Sequence, residues 1–190
     1  MPRTMIRRLT GLAASIAAVI AVSGAAAGAA APTAPVRAPA TAGPRVSTPS
    51  NRVTMQVNGA VQDRLRLSDA QLTALPQQTI TVTFQSGPGA QTHTYTGPLL
   101  LDVLNFARPR FDPTVKNDKL RYAVTATGSD GYQALVAWAE FDPDFGAKTV
   151  LVALTEDGQP TADGRPRLVV PGDIKGGRYI SGLVRLHLAR

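Results

Sequence analysis

The sequence predicts one mixed α/β domain, rich in strands with a few short helices, preceded by an export signal and a linker. Three observations carry this reading: strand-like alternation recurs from Arg52 onward, the helical stretches are short, and Gly, Pro, Asn and Asp clusters separate the segments. Strands that outnumber short helices fit β-rich mixed sheets better than a doubly wound parallel sheet, and no internal repeat is visible. The chain has 190 residues, and the stretch 52–190 is long enough to bury the core of one domain.

Val53, Met55 and Val57 alternate with polar residues as far as the Asn58-Gly59 turn, which gives a first strand. Ser68 precedes Gln71 at the spacing of a capping box, and Ala70, Leu72 and Leu75 continue a short helix that Pro76 stops. Over 78–85, Ile80, Val82 and Phe84 alternate with Thr79, Thr81 and Thr83, and Ser86-Gly87-Pro88-Gly89 turns this strand back into 91–96 as a hairpin. Gly97-Pro98 is expected to open a helix whose apolar side is Leu99, Leu100, Val103, Leu104 and Phe106. Strands over 120–127 and 132–137 flank Gly128-Ser129-Asp130-Gly131 as a second hairpin, and Trp138 to Phe141 makes a single helical turn. The unbroken apolar run Val150 to Leu154 predicts a central strand covered on both faces and ended by Glu156-Asp157-Gly158. Strands over 167–170 and 183–188 complete the domain.

At the start, Arg3, Arg7 and Arg8 precede an apolar run from Leu9 to Ala27, followed by several Ala-x-Ala sites. This is the pattern of a signal peptide over 1–31, cleaved between Ala26 and Ala31, and it implies a periplasmic or extracellular protein with no membrane span after cleavage. The opposing reading is an uncleaved anchor, which the small-residue end of the run disfavours. Arg7-Arg8 is a twin-arginine pair with poorly matching flanks, so the general secretory route fits equally. Residues 32–51, with Pro at 32, 35, 39, 44 and 49, are too poor in bulky apolar groups to order themselves and read as a linker.

The chain has no Cys, which excludes disulfides, Cys-ligated zinc, iron–sulfur clusters and thiol nucleophiles. Its two His, His93 and His187, cannot form a multi-His metal site alone. No Ser sits in a nucleophile-elbow pattern, which disfavours a hydrolase. Without the three signal arginines, 17 basic residues face 13 acidic ones, and the excess sits at one end: residues 165–190 carry +5, whereas 32–164 carry −1. There Pro171 to Arg178 forms a glycine-rich loop holding Lys175 and Arg178, which reads either as a site for a small anion or as a solvated charged surface. Nucleic acid is not expected, because the aromatics fall in strand patterns rather than among the basic residues.

The segments Gly97-Pro98-Leu99-Leu100-Leu101-Asp102-Val103-Leu104, Gly128-Ser129-Asp130-Gly131-Tyr132 with Glu140 to Phe145 after it, Val150 to Leu154 with Glu156-Asp157-Gly158-Gln159-Pro160, and Arg165-Pro166-Arg167-Leu168-Val169-Val170-Pro171-Gly172-Asp173 follow one another in a telling order. Together they resemble the molybdopterin-binding oxidoreductase domain of the sulfite oxidase family, in its short exported single-domain form, over 53–189. The resemblance implies a sulfite oxidase-like fold of β-rich mixed sheets with short helices. It also implies a molybdopterin (molybdenum cofactor) whose phosphate is held near the C-terminal end by Arg167, Lys175 and Arg178. An alternative is that Arg167 only pairs with a carboxylate such as Asp163. Ser181 lies near a position that is basic in larger members.

Catalytic members bind molybdenum through a cysteine thiolate just before the Gly-Pro-Leu segment, and here that region reads Thr83-Phe84-Gln85-Ser86-Gly87-Pro88-Gly89. Ser86 is a poor substitute, since its hydroxyl is a far weaker acid than a thiol. Three expectations follow: a redox domain carrying the cofactor without cysteine coordination, with an unknown redox partner; a non-catalytic module that kept the fold and recognises an anionic small molecule, glycan or protein; or an envelope protein whose basic end adheres to anionic polymers. On the second, reversing the charge of Arg178 should abolish capture and leave the thermal midpoint near wild type.

Overall fold

The computed structural model describes residues 51–87 and 89–190. The expected signal over 1–31 and all but the last residue of the linker over 32–51 lie outside the described residues. In chain order the first elements are β1 (Val53–Gly59), β2 (Leu65–Ser68), α1 (Asp69–Ala74), β3 (Gln77–Ser86), β4 (Gly89–Pro98) and α2 (Leu100–Phe106). They are followed by β5 (Ala123–Gly128), β6 (Gln133–Ala137), α3 (Trp138–Phe141), β7 (Leu151–Ala153), β8 (Thr155–Glu156), β9 (Gln159–Pro160), β10 (Arg167–Val169) and β11 (Leu183–Ala189). The result is β-rich with short helices, as the alternation predicts. Among these residues no helix is long and apolar enough to cross a membrane.

One sheet has the order β2–β1–β11–β5–β6, in which the first long strand runs parallel to the last, Gln56 opposite Arg185 and Gly59 opposite Leu188. Its inward side chains, among them Met55, Val57, Val124, Leu186 and Leu188, pack with Leu100, Val103 and Leu104 of α2 and with Trp138 into the main core. The capping box forms: Ser68 Oγ accepts the Gln71 N–H at 3.3 Å, and Gln71 Oε1 accepts the Ser68 N–H at 3.0 Å. The second sheet, β3–β4–β8–β9, is built on the predicted hairpin, paired over ten positions from Gln77–Pro98 to Ser86–Gly89. Under it lies a smaller core of Val82, Phe84, Tyr95, Leu151, Ala153, Val169 and Tyr179.

Four elements differ from the sequence expectations. The strand expected over 120–127 starts at Ala123, because Asp118–Arg121 is a 3-10 turn entered through Asn117 in the left-handed region at φ 54°. The buried Asp118 carboxylate ties that turn down, accepting from the Asp112 N–H at 2.9 Å and from Arg190 at 2.6 Å. Gly97 and Pro98 end β4 rather than opening the helix, which starts at Leu100. The run Val150 to Ala153 is buried and Leu154 partly so, yet β7 forms a ladder only with β10, besides a single bridge from Leu151 to Leu99. It reads as central because β4 covers it at close range, with Leu154 donating to Thr96 O at 2.8 Å, and burial looks the same in sequence whether it comes from a ladder or from packing. The hairpin of β8 and β9 shows in the sequence only as a strand end, since two-residue strands leave no alternation to detect.

Candidate anion-binding site

Where β3 ends, its turn meets the glycine-rich loop and the start of β10. The Gln85 N–H donates to Ile174 O at 2.8 Å, and Gln85 and Lys175 form a parallel bridge, so the loop is stitched to the strand. The concavity between them has a volume of about 630 Å³ and is lined by Phe84, Gln85, Ser86, Gly87, Gln91, Arg167, Lys175, Gly176 and Gly177. Its floor is the smaller core, where the Phe84 ring stacks on Tyr179 with centroids 4.4 Å apart. Gly176 is required here by close approach: a Cβ would lie 2.7 Å from Cδ2 of Phe84.

Two of the three basic residues singled out from the sequence, Arg167 and Lys175, line this one concavity. Arg167 is held in place by Glu156, to which Nη1 donates at 3.2 Å, and its guanidinium carbon lies 5.6 Å from the centroid of the Tyr95 ring. Its carboxylate partner is therefore Glu156 rather than Asp163. Glu156 is steadied in turn by the Tyr95 hydroxyl at 2.8 Å, and burial followed by that hydrogen bond raises the phenol well above its ordinary pKa. The Arg167 Nε is buried and has no hydrogen-bond partner among the described residues, and the same holds for the Tyr179 hydroxyl. Lys175 is exposed and makes no ion pair among them. The Arg167 side chain, a free ammonium and neutral donors on Gln85, Ser86 and Gln91 around one hollow favour a small anion.

Arg178 is placed differently. Its Nε and Nη2 donate to Asp173 at 2.7 and 2.6 Å, and Nη1 and Nη2 donate to Glu140 at 2.8 and 3.1 Å. The guanidinium thus clamps the glycine-rich loop to α3, and Arg178 is not among the residues lining the concavity. Burial pushes the Glu140 carboxyl up, but hydrogen bonds from Arg178, Lys148 and the Ala137 N–H pull it down further, to about 2.

A carboxylate held below its unfolded value of 4.5 contributes stability that is complete above that pH and is lost as the pH falls through about 2. Wild type should lose roughly 2 kcal/mol more than Glu140→Gln across that window, a figure reduced from full linkage because part of the side chain meets water. Denaturant unfolding of both proteins at a series of acidic pH values measures it.

Ser86 lies in the hollow beside Gln85, where the resemblance leads one to look for a metal ligand. The donor set there does not fit a thiolate-bound metal: the chain has no Cys, the charged groups facing the hollow are cations, and no cluster of three His, Cys, Asp or Glu among the described residues could hold a metal ion. His93 is a half-buried strand residue whose Nδ1 lies 2.7 Å from Asp157 Oδ2, and His187 Nδ1 lies 2.7 Å from Asn58 Oδ1. Ser181 is exposed and lies outside the lining. Sequence reasoning missed Gln91 and Glu156. Counting back through the hairpin from Gly89 would have found Gln91 opposite Phe84, whereas Glu156 reaches Arg167 only through the pairing of β8 with β4.

Comparison with known proteins agrees with this architecture. The sequence profile described as "oxidoreductase molybdopterin binding domain" matches residues 42–189. A search of curated proteins finds no significant match. Among solved structures the fold is similar to the sulfane dehydrogenase SoxCD from Paracoccus pantotrophus, with a TM-score of 0.56 and 19% sequence identity over 70% of this chain. The match spans 37% of the SoxCD chain, so the likeness is one of fold. With its β-rich sheets, its hollow at the β3 turn and a profile match across nearly all of the described residues, the chain belongs to the oxidoreductase molybdopterin-binding domain family.

Proposed function

We propose that this domain is an exported, non-catalytic binding module that holds the phosphate or carboxylate group of a small ligand in the hollow between the β3 turn and the glycine-rich loop. One observation carries the reading: Arg167 and the unpaired Lys175 line the same hollow, with no carboxylate among its lining residues. Two cations beside neutral donors on Gln85, Ser86 and Gln91 can supply charge-assisted hydrogen bonds to an oxyanion. Inorganic phosphate is the direct probe. By calorimetry the wild type should bind it saturably, and Arg167→Met together with Lys175→Glu should weaken binding at least about tenfold, equivalent to about 1.4 kcal/mol. Uptake that never saturates and collapses with salt would point instead to non-specific adhesion by the basic end.

Family membership favours a second reading of the same hollow, in which the bound anion is the phosphate of a pterin cofactor. The cationic lining suits that end of the cofactor, while the donor set offers nothing for its metal. Metal and pterin analysis of the protein recovered from its native export route separates the two readings: pterin present supports the second, both absent the first. N-terminal sequencing of the same sample should place the mature start after a residue between Ala26 and Ala31.

A further inference from the structure

Each sheet edge carries unpaired N–H and C=O groups, and proteins blunt such edges with charge, proline, bulges or short length. Three of the four edges in the two larger sheets are managed in this way. β2 has four residues, one of them Arg66; β9 has two; and on β6 the Leu135 carbonyl accepts from Arg178 at 3.4 Å. β3 is the exception. It runs for ten residues, Gln77–Ser86, without a charged residue or a proline, and its register with β4 is unbroken from end to end.

The backbone shows which groups face outward. The Gln85 N–H donates to Ile174 O, on the side away from β4, so Gln85 points its polar groups to the outer edge. Because those groups alternate along a strand, Thr79, Thr81 and Thr83 point theirs the same way, and Gln78, Ile80, Val82 and Phe84 bond to β4. The side chains agree. Thr79–Thr96, Thr81–Thr94 and Thr83–Thr92 bring their hydroxyl oxygens to 2.8, 2.9 and 2.8 Å, the closeness expected of the positions that do not exchange backbone bonds across the hairpin. All three threonines of β3 are exposed, and among the described residues none of their N–H groups donates to another segment.

We propose that two copies of this chain pair edge to edge through β3, antiparallel about a twofold axis at Thr81, merging their four-stranded sheets into one continuous sheet. The sequence of the strand is self-complementary in that register. Thr81 meets Thr81 of the second copy, Thr79 meets its Thr83, and Ile80 meets its Val82, so β-branched residues face one another on both sides of the sheet. Three outward residues per copy supply six inter-chain backbone hydrogen bonds, and with no charge on the strand a twofold places no like charges opposite each other. Lys175, beside Gln85 at one end of the edge, would face the neutral Gln77 end of the second copy. The chain's own residues 32–51 are a poor occupant of this edge, since prolines at 32, 35, 39, 44 and 49 lack the N–H groups that a ladder requires.

Light scattering coupled to size exclusion, on the mature protein across a concentration series, tests the pairing. The wild type should report twice the chain mass, and Thr81→Pro should halve it. At Thr81 the N–H faces outward, so proline removes no bond to β4 and the hairpin should remain folded by circular dichroism. A monomeric wild type, or a Thr81→Pro protein that stays folded and dimeric, would overturn the proposal. Should that variant fail to fold, hydrogen exchange on the wild type decides: in a dimer the amides of Thr79, Thr81 and Thr83 are protected, and exchange at the rate of free amides rejects the pairing.

Discussion

Replacing Arg178 by methionine should cost about 2–3 kcal/mol and lower the thermal midpoint by roughly 5–10 °C. The guanidinium joins two carboxylates from different parts of the chain, Asp173 in the glycine-rich loop and Glu140 in α3, and both partners are largely shielded from water. Methionine keeps much of the packing volume but leaves Asp173 without its two charge-assisted bonds, and Glu140 retains only Lys148 and the Ala137 N–H. Arg178→Lys should recover little, because an ammonium cannot present parallel N–H pairs to two carboxylates. Ligand binding should fall as well, although Arg178 does not face the hollow, because the clamp positions the wall formed by Lys175, Gly176 and Gly177. The sequence alone leads one to expect that reversing the charge of Arg178 spares stability and abolishes capture. The clamp makes loss of stability the first consequence, and thermal and denaturant unfolding of the variant read it directly. An unchanged midpoint would mean that the double pair contributes nothing in solution.

Gly97→Ala should be at least as damaging, at about 3 kcal/mol. A Cβ at this position would run into the Val152 carbonyl and lie 2.7 Å from the Cα of Ala153. Both obstacles are backbone of the fully buried β7, so no rotamer change can relieve the clash, and β4 would have to move away from the ladder that β7 makes with β10. That shift would also disturb the smaller core beneath the hollow, where Tyr95 packs with Leu151 and Ala153. Comparing denaturant unfolding of Gly97→Ala with that of an alanine at the exposed Gly131 turn separates steric conflict from the general effect of replacing a glycine. Gly131, at φ 85°, has open space around a Cβ, so its alanine variant carries only the backbone strain of the left-handed region. Equal losses at the two sites would refute the close-approach argument.

The Gly97-Pro98 segment shows how far sequence carries in this fold. Its composition marks a structural boundary, and the boundary exists. The segment nevertheless closes a strand where its residues suggest a helix opening, because the cause of the glycine lies in a strand more than fifty residues away. By contrast, the alternation of Ile80, Val82 and Phe84 with threonines reveals both the strand and the face it buries, since that period depends only on neighbouring residues. Which strand lies beside it, and that its outer edge from Thr79 to Thr83 takes no backbone partner among the described residues, cannot be read from any local pattern.

Local physics therefore determined most of the longer strands, the capping box at Ser68 and the gathering of positive charge in the last residues, all of which depend on neighbours within a few positions. Tertiary structure alone decided how that charge is used. Arg167, Lys175 and Arg178 look alike in sequence, yet Lys175 faces the hollow unpaired, Arg167 faces it with a single carboxylate partner in Glu156, and Arg178 is neutralised between Asp173 and Glu140 away from it. The reason is electrostatic: whether a cation is free to bind a ligand depends on which carboxylates lie within a few ångströms, and chain folding, not sequence proximity, sets those distances.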